Sequence, residues 1–164
     1  MSRRIPTKLA ALFAALLMAF MLGAAPVLAA SNRTNSPKLP GGDYIQTNIW
    51  IGNMPVNTFG AQSSTWIIGN NPYYPYYTED SLAINVNGIA ITVSWPPSAN
   101  QTTLSSATFV NSQLYTGYAG NAVYNITVQG GIWFNNSGID TSKTILWKNT
   151  QSFYNHSGVT NWCC

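Results

Sequence analysis

Beyond residue 29 the chain offers acid–base, nucleophilic or metal chemistry only four carboxylates, one histidine and two cysteines. The carboxylates are Asp43, Glu79, Asp80 and Asp140; the imidazole is His156 and the thiols are Cys163 and Cys164. A glycosidase needs two carboxyl groups facing each other across about 5–10 Å. Glu79 and Asp80 are neighbours, so on an extended chain they point to opposite sides, and any pairing with Asp43 or Asp140 depends on the fold. A Ser-His-Asp group would have to be built from His156, Asp140 or another acid, and a serine. No G-x-S-x-G elbow supports one, and "NHSG" reads as a turn that exposes His156. Zinc-type Cys/His spacing is absent. Calcium is the one metal the acidic pair suits, with Glu79, Asp80, Asn side chains and backbone carbonyls as oxygen ligands. The balance leans away from an enzyme.

Binding is better supplied. Nine Tyr, six Trp and four of the six Phe lie beyond residue 29. The stretch "NNPYYPYYTED" sets Tyr73, Tyr74, Tyr76 and Tyr77 around Pro72 and Pro75, ahead of Glu79 and Asp80. The prolines remove backbone donors and favour extended or turn geometry. Four tyrosines cannot all turn inward from such a segment. A tyrosine ring joins an apolar face to a hydroxyl that stays wet, which suits stacking on a sugar or anchoring a protein contact. Glu79 and Asp80 would then accept hydrogen bonds from sugar hydroxyls or hold calcium. The alternative is a loop folded over one end of the domain as a cover. Trp66, Trp95, Trp133 and Trp147 lie on strand-like runs and are expected in the core. Trp50 is the exception, because its neighbours' pattern turns it away from an isoleucine face.

Those groups must be positioned by strands. "YIQTNIWI" places Ile45, Thr47, Ile49 and Ile51 on one face and Tyr44, Gln46, Asn48 and Trp50 on the other. In "LAINVNGIAITVSW", Asn87-Gly88 signals a two-residue hairpin pairing Val86 with Ile89, Ile84 with Ile91 and Leu82 with Val93. "NAVYNITVQ" puts Ala122, Tyr124, Ile126 and Val128 on a common face. "STWII" and "ATFV" add two strands. Shorter ones are expected at Ile132–Phe134, Thr144–Trp147 and Gln151–Tyr154, divided by the turn-like "NNSG", "IDTSK" and "NHSGV". No segment beyond residue 29 carries a 3.6-residue period. The expectation is an all-β fold: a single antiparallel β-sandwich, jelly-roll or immunoglobulin-like, with a barrel as second choice.

Four segments are expected. Residues 1–29 combine Arg3, Arg4 and Lys8, an apolar run, and Val27 and Ala29 at the −3 and −1 positions of a signal-peptidase site, and read as a cleaved signal peptide. Residues 30–42 read as a flexible lead-in and 43–162 as the sandwich. Residues 163–164 form a Cys-Cys tail. Removing 29 of the 164 residues leaves 135, the size of one domain. Arg33, Lys38, Lys143 and Lys148 then balance the four carboxylates, so the formal charge of +3 belongs to the leader. A neutral chain lacks the cationic cluster that nucleic acid requires, and anionic lipid finds no footprint. No membrane span is expected once the leader is cleaved. Asn-x-Ser/Thr acceptors stand at Asn32, Asn100, Asn125, Asn135 and Asn155.

Cys163 and Cys164 cannot staple the fold at long range. In an oxidising compartment an interchain bond, giving a disulfide-linked homodimer, is their most useful role.

The sequence therefore points to a secreted, extracellular or cell-surface protein. It would bind polysaccharide or a surface protein through Tyr73–Tyr77, Glu79, Asp80 and Trp50. One alternative is a self-assembling envelope or coat protein cross-linked through its terminal cysteines. Another is a membrane-active toxin with amphipathic hairpins.

Overall fold

Side chains alternate faces along an extended chain, and here the alternation is sustained for 11 to 14 residues in several strands. A computed structural model describes residues 29–54, 58–69, 75–89, 91–97, 99–103, 105–129, 134–146 and 151–163. Within these, the chain forms ten strands and no helix. They are β1 (Ala29–Asn35), β2 (Tyr44–Met54), β3 (Thr58–Ile68), β4 (Pro75–Gly88) and β5 (Thr92–Ser94), then β6 (Asn100–Thr103), β7 (Ser106–Leu114), β8 (Tyr118–Gln129), β9 (Phe134–Leu146) and β10 (Ser152–Cys163). One sheet runs β1-β2-β3-β8-β5 and the other β10-β9-β4-β7-β6, every pair antiparallel. The two pack face to face as a β-sandwich, with no closed barrel.

The interior is layered. At one end Ile49, Ile51, Phe59, Leu82, Ile84 and Ile126 belong to the main apolar cluster. At the other, Leu39, Ile45 and Leu146 form a smaller one with Ile67 and Phe153 against it. Between them the inward positions are polar. Thr47 of β2, Ser63 and Thr65 of β3, Asp80 of β4, and Asp140 and Ser142 of β9 are all buried. The layer is tied across the sheets. Thr78 Oγ1 donates to Thr116 O at 2.7 Å and Asn111 Nδ2 to Gly120 O at 2.7 Å. Asn155 Nδ2 lies 3.0 Å from Thr34 O, 3.1 Å from Ile45 O and 3.1 Å from Thr47 Oγ1.

β1 and β10 close one flank through side chains rather than a ladder. Asn32 Nδ2 donates to Gly158 O at 2.9 Å, and Thr34 Oγ1 to His156 O. Carbonyls of the β10 edge are thereby satisfied, which blunts an otherwise open strand edge.

Four expectations are corrected. Residues 30–42 do not simply lead in, because 29–35 pair with β2 along their whole length; the polar composition of β1 suits an edge strand whose side chains serve the flank. Asn87-Gly88 makes no hairpin. β4 runs through both residues, paired to Asn135 and Phe134 of β9, and neither takes a positive φ. The chain crosses to the other sheet beyond them, where β5 pairs with β8, and Ile89 is left 86% exposed. Tyr124 does not share a face with Ile126. Asn125 adopts φ 60° in a bulge opposite Gly60, and the facing changes there, Val123 and Ile126 inward with Tyr124 outward. The motifs "NNSG", "IDTSK" and "NHSGV" are not turns, since β9 and β10 run through them in unbroken register. Asn136, Asp140, Ser142 and Ser157 of these motifs are buried inward positions, so a turn-like composition here marks a polar interior.

Gly138 faces inward on β9, and a Cβ there would lie 2.8 Å from both Ile49 Cδ1 and Ile51 Cδ1. Gly138→Val is expected to lower stability by ~1–3 kcal/mol through overpacking, read as a lower midpoint in urea unfolding.

Candidate functional site

Outward positions of the β1-β2-β3-β8 sheet line a solvent-open trough of about 1060 Å³. Directly opposed residues of an antiparallel pair share a face, so the registers arrange the lining in rows across the strands. One row is Asn35, Gln46, Trp66 and Tyr118. The next is Arg33, Asn48, Ser64 and Gly120, and the third Ser31, Trp50, Gln62 and Ala122. A middle row of polar and small residues is thus flanked by two rows carrying tryptophan. Two strand residues span about 6–7 Å, which sets the flanking rows about 13 Å apart.

Glycines shape this surface. Trp50 leans along β2 onto Gly52, occupying the place of any Cβ there. A Cβ on Gly60 would meet Tyr124 Cδ1 at 2.7 Å, and one on Gly120 the Tyr118 hydroxyl at 2.8 Å. Rings that would stand off a sheet of larger residues therefore lie along it. Trp66, 45% exposed, meets Tyr118 with ring centroids 4.3 Å apart and planes tilted by 50°. The polar members are held too: Arg33 Nε donates to Asn48 Oδ1 at 2.6 Å, Asn48 Nδ2 to Ser64 Oγ at 3.3 Å, and Gln62 Nε2 to the Tyr124 hydroxyl.

Beneath this floor lies Asp80. Its Oδ1 accepts from Thr65 Oγ1 at 2.9 Å, and its Oδ2 from Ser63 Oγ and from Asn121 Nδ2 at 2.7 Å. Three donors from β3 and β8 thus clamp a carboxylate from the opposite sheet, and β3 and β8 carry Ser64, Trp66, Tyr118 and Gly120. Asp140 on the adjacent β9 is also fully buried, and among the described residues no donor is directed at either of its oxygens. Burial first and the charge of Asp80 second push its carboxyl up to about 9. Burial raises Asp80 as well, against the lowering by Ser63, Asn121 and Thr65. Two adjacent carboxyl groups in a low-dielectric interior do not both ionise. The three donors on Asp80 and the bare oxygens of Asp140 favour placing the shared proton on Asp140.

The residues singled out in the sequence are not brought together. Trp50 is in the trough. Tyr77 and Glu79 face outward on the other sheet, where the Tyr77 hydroxyl donates to Glu79 and Lys143 Nζ lies 6.0 Å from the Tyr77 ring centroid. That bond first and burial second raise the Tyr77 hydroxyl above its ordinary value. Tyr76 packs edge-on to Tyr115 at 5.5 Å. Asp80 is out of reach of any surface ligand, a correction that follows from the strict alternation placing Glu79 outside and Asp80 between the sheets. The two therefore cannot share a calcium ion, and the described residues hold no group of three or more His, Cys, Asp or Glu suited to a metal. Tyr73, Tyr74 and Cys164 lie outside the described residues; the Cys163 backbone pairs with Phe134 at the end of β10. His156 is exposed on β10, opposite Thr141, rather than in a turn.

Trp66 was expected in the core and lies outside it. Its inward neighbours Ser63 and Thr65 are the polar donors to Asp80, so polarity along "SSTWII" misreports which face is buried. Arg33 and Tyr118 carried no local signal, because strand register alone brings them beside Asn48 and Trp66. No protein-family model matches the chain, and comparison with curated protein sequences finds no significant match.

A raised carboxyl makes stability depend on pH. Asp140 binds its proton in the folded state up to about 9 but, when unfolded, only up to the ordinary carboxyl value of 3.8. The folded chain therefore holds the extra proton across that window, and stability falls as pH rises through it. The melting temperature is expected to be higher at pH 5 than at pH 8, and Asp140→Asn to flatten the profile, measured by thermal unfolding from pH 4 to pH 9.

Proposed function

We propose that this protein is a secreted, non-catalytic β-sandwich that binds extracellular glycan along the trough of the β1-β2-β3-β8 sheet. One observation carries the reading: a polar, small-residue row lies between two aromatic rows on a face open to solvent. Sugar rings present apolar C–H faces and a rim of hydroxyls. Trp50, Trp66 and Tyr118 supply surfaces for the first, and Gln46, Asn48, Ser64 and Gln62 supply amides and hydroxyls for the second. The arrangement is extended rather than a closed pocket, which favours a stretch of polymer over a single small molecule.

The fixed floor supports the same reading. The side chains of the middle row are tied to one another, and the strands beneath are clamped by Asp80. Less side-chain freedom is then lost on binding.

Retention of the purified protein by insoluble cell-wall and plant polysaccharides tests this. Trp66→Ala and Trp50→Ala are each expected to weaken retention on the order of tenfold or more. The melting temperature of Trp66→Ala should change little, because the ring is half exposed. Failure of every polymer to retain the wild type would reassign the aromatic rows to a protein contact.

A further inference from the structure

Among the described residues that line the trough, Arg33 is the one charged side chain, and none of them is a carboxylate. It stands at the end of the middle row, where its Nε–H is held by Asn48, itself held by Ser64. A guanidinium is a planar fork of five donors that matches a carboxylate with two parallel hydrogen bonds. Fixing Nε orients the plane, and among the described residues nothing else engages the two terminal NH2 groups. Elsewhere the trough offers rings, amides and hydroxyls. The Asp80 charge beneath is met by donors from Ser63, Thr65 and Asn121, which belong to the strands between it and the trough.

We propose that the trough recognises an acidic polysaccharide, with the carboxylate of a uronate residue taken by the Arg33 guanidinium and its sugar rings laid against the Trp50 and Trp66 rows. This rests on the glycan reading above and narrows it to a charge class. The middle row places the cation between two stacking surfaces, so the charged sugar sits inside the bound stretch, with neighbours on either side. A chain with almost no net charge beyond residue 29 would then discriminate by one oriented cation rather than by a diffuse basic field.

Titration calorimetry with uronate oligomers (galacturonate, glucuronate and mannuronate series), matched neutral oligomers and a sulfated oligomer tests the assignment, on wild type, Arg33→Gln, Arg33→Lys and Trp66→Ala. The expected result is binding of at least one uronate series in preference to its neutral counterpart. Affinity should fall at least tenfold in Arg33→Gln, be partly kept in Arg33→Lys, and weaken as salt is raised. Binding of neutral oligomers with equal strength, unaffected by Arg33→Gln but lost in Trp66→Ala, would overturn the charge assignment and leave the glycan reading standing. Binding of the sulfated oligomer alone would overturn the carboxylate. Failure of every oligomer to bind would remove both.

Discussion

A carboxylate from one sheet, gripped by donors from the other, is the contact on which this sandwich turns. Asp80 is fully buried and accepts from Ser63 and Thr65 of β3 and from Asn121 of β8. Hydrogen bonds to a buried charge contribute about 1.5–3 kcal/mol each, and each buried donor left without its acceptor would cost about 1–3 kcal/mol. Apolar packing has no direction, whereas this cluster is satisfied only when β3, β4 and β8 stand in one register. The apolar clusters on either side supply the bulk of the burial. The polar layer between them makes one alignment of the two sheets better than its neighbours, since a slip of either sheet would strand the charge against isoleucine.

The same layer explains which parts of the architecture are legible in the sequence. Where the interior is apolar, alternation reads true: Ile45, Ile49 and Ile51 are buried as their spacing implies, and the prevalence of short alternating runs implies a sandwich. Where the interior is polar, the reading inverts. Asn136, Gly138, Asp140 and Ser142 are successive inward positions of β9, yet in sequence they compose what looks like turn chemistry. Ser63 and Thr65 hide the outward Trp66 in the same way. The Asn87-Gly88 dipeptide fails for a different reason. A local turn preference is worth little against a β4 that pairs with β9 as far as Gly88 and with β7 from Tyr77 to Asn85, so tertiary pairing overrides it.

Gln46, Asn48 and Trp50 are the trough residues that the sequence places on one face, because β2 is the strand whose inner face is most nearly apolar. The others depend on pairings between segments far apart. Tyr118 comes beside Trp66 only through the β3–β8 ladder, and Arg33 reaches Asn48 only because β1 pairs with β2. Local patterns cannot report such neighbours. Of the tyrosine-rich segment, Tyr77 and Glu79 belong to the opposite face.

Glycine is what turns a sheet face into a trough. Gly52, Gly60 and Gly120 face outward where β-propensity disfavours them, and each is covered by an aromatic side chain: Trp50, Tyr124 and Tyr118. A bare glycine weakens a strand by leaving its backbone wet and mobile; a ring lying over it restores cover and is itself held down. In the trough, Gly120 keeps the floor low while Trp50 and Tyr118 stand among its lining. The bulge at Asn125 completes the arrangement. By reversing the facing of β8 beyond Val123, it sends Tyr124 outward over Gly60 while returning Ile126 and Val128 to the main core. Surface relief and interior packing are thus set by the same backbone irregularity, and neither can be altered there without disturbing the other.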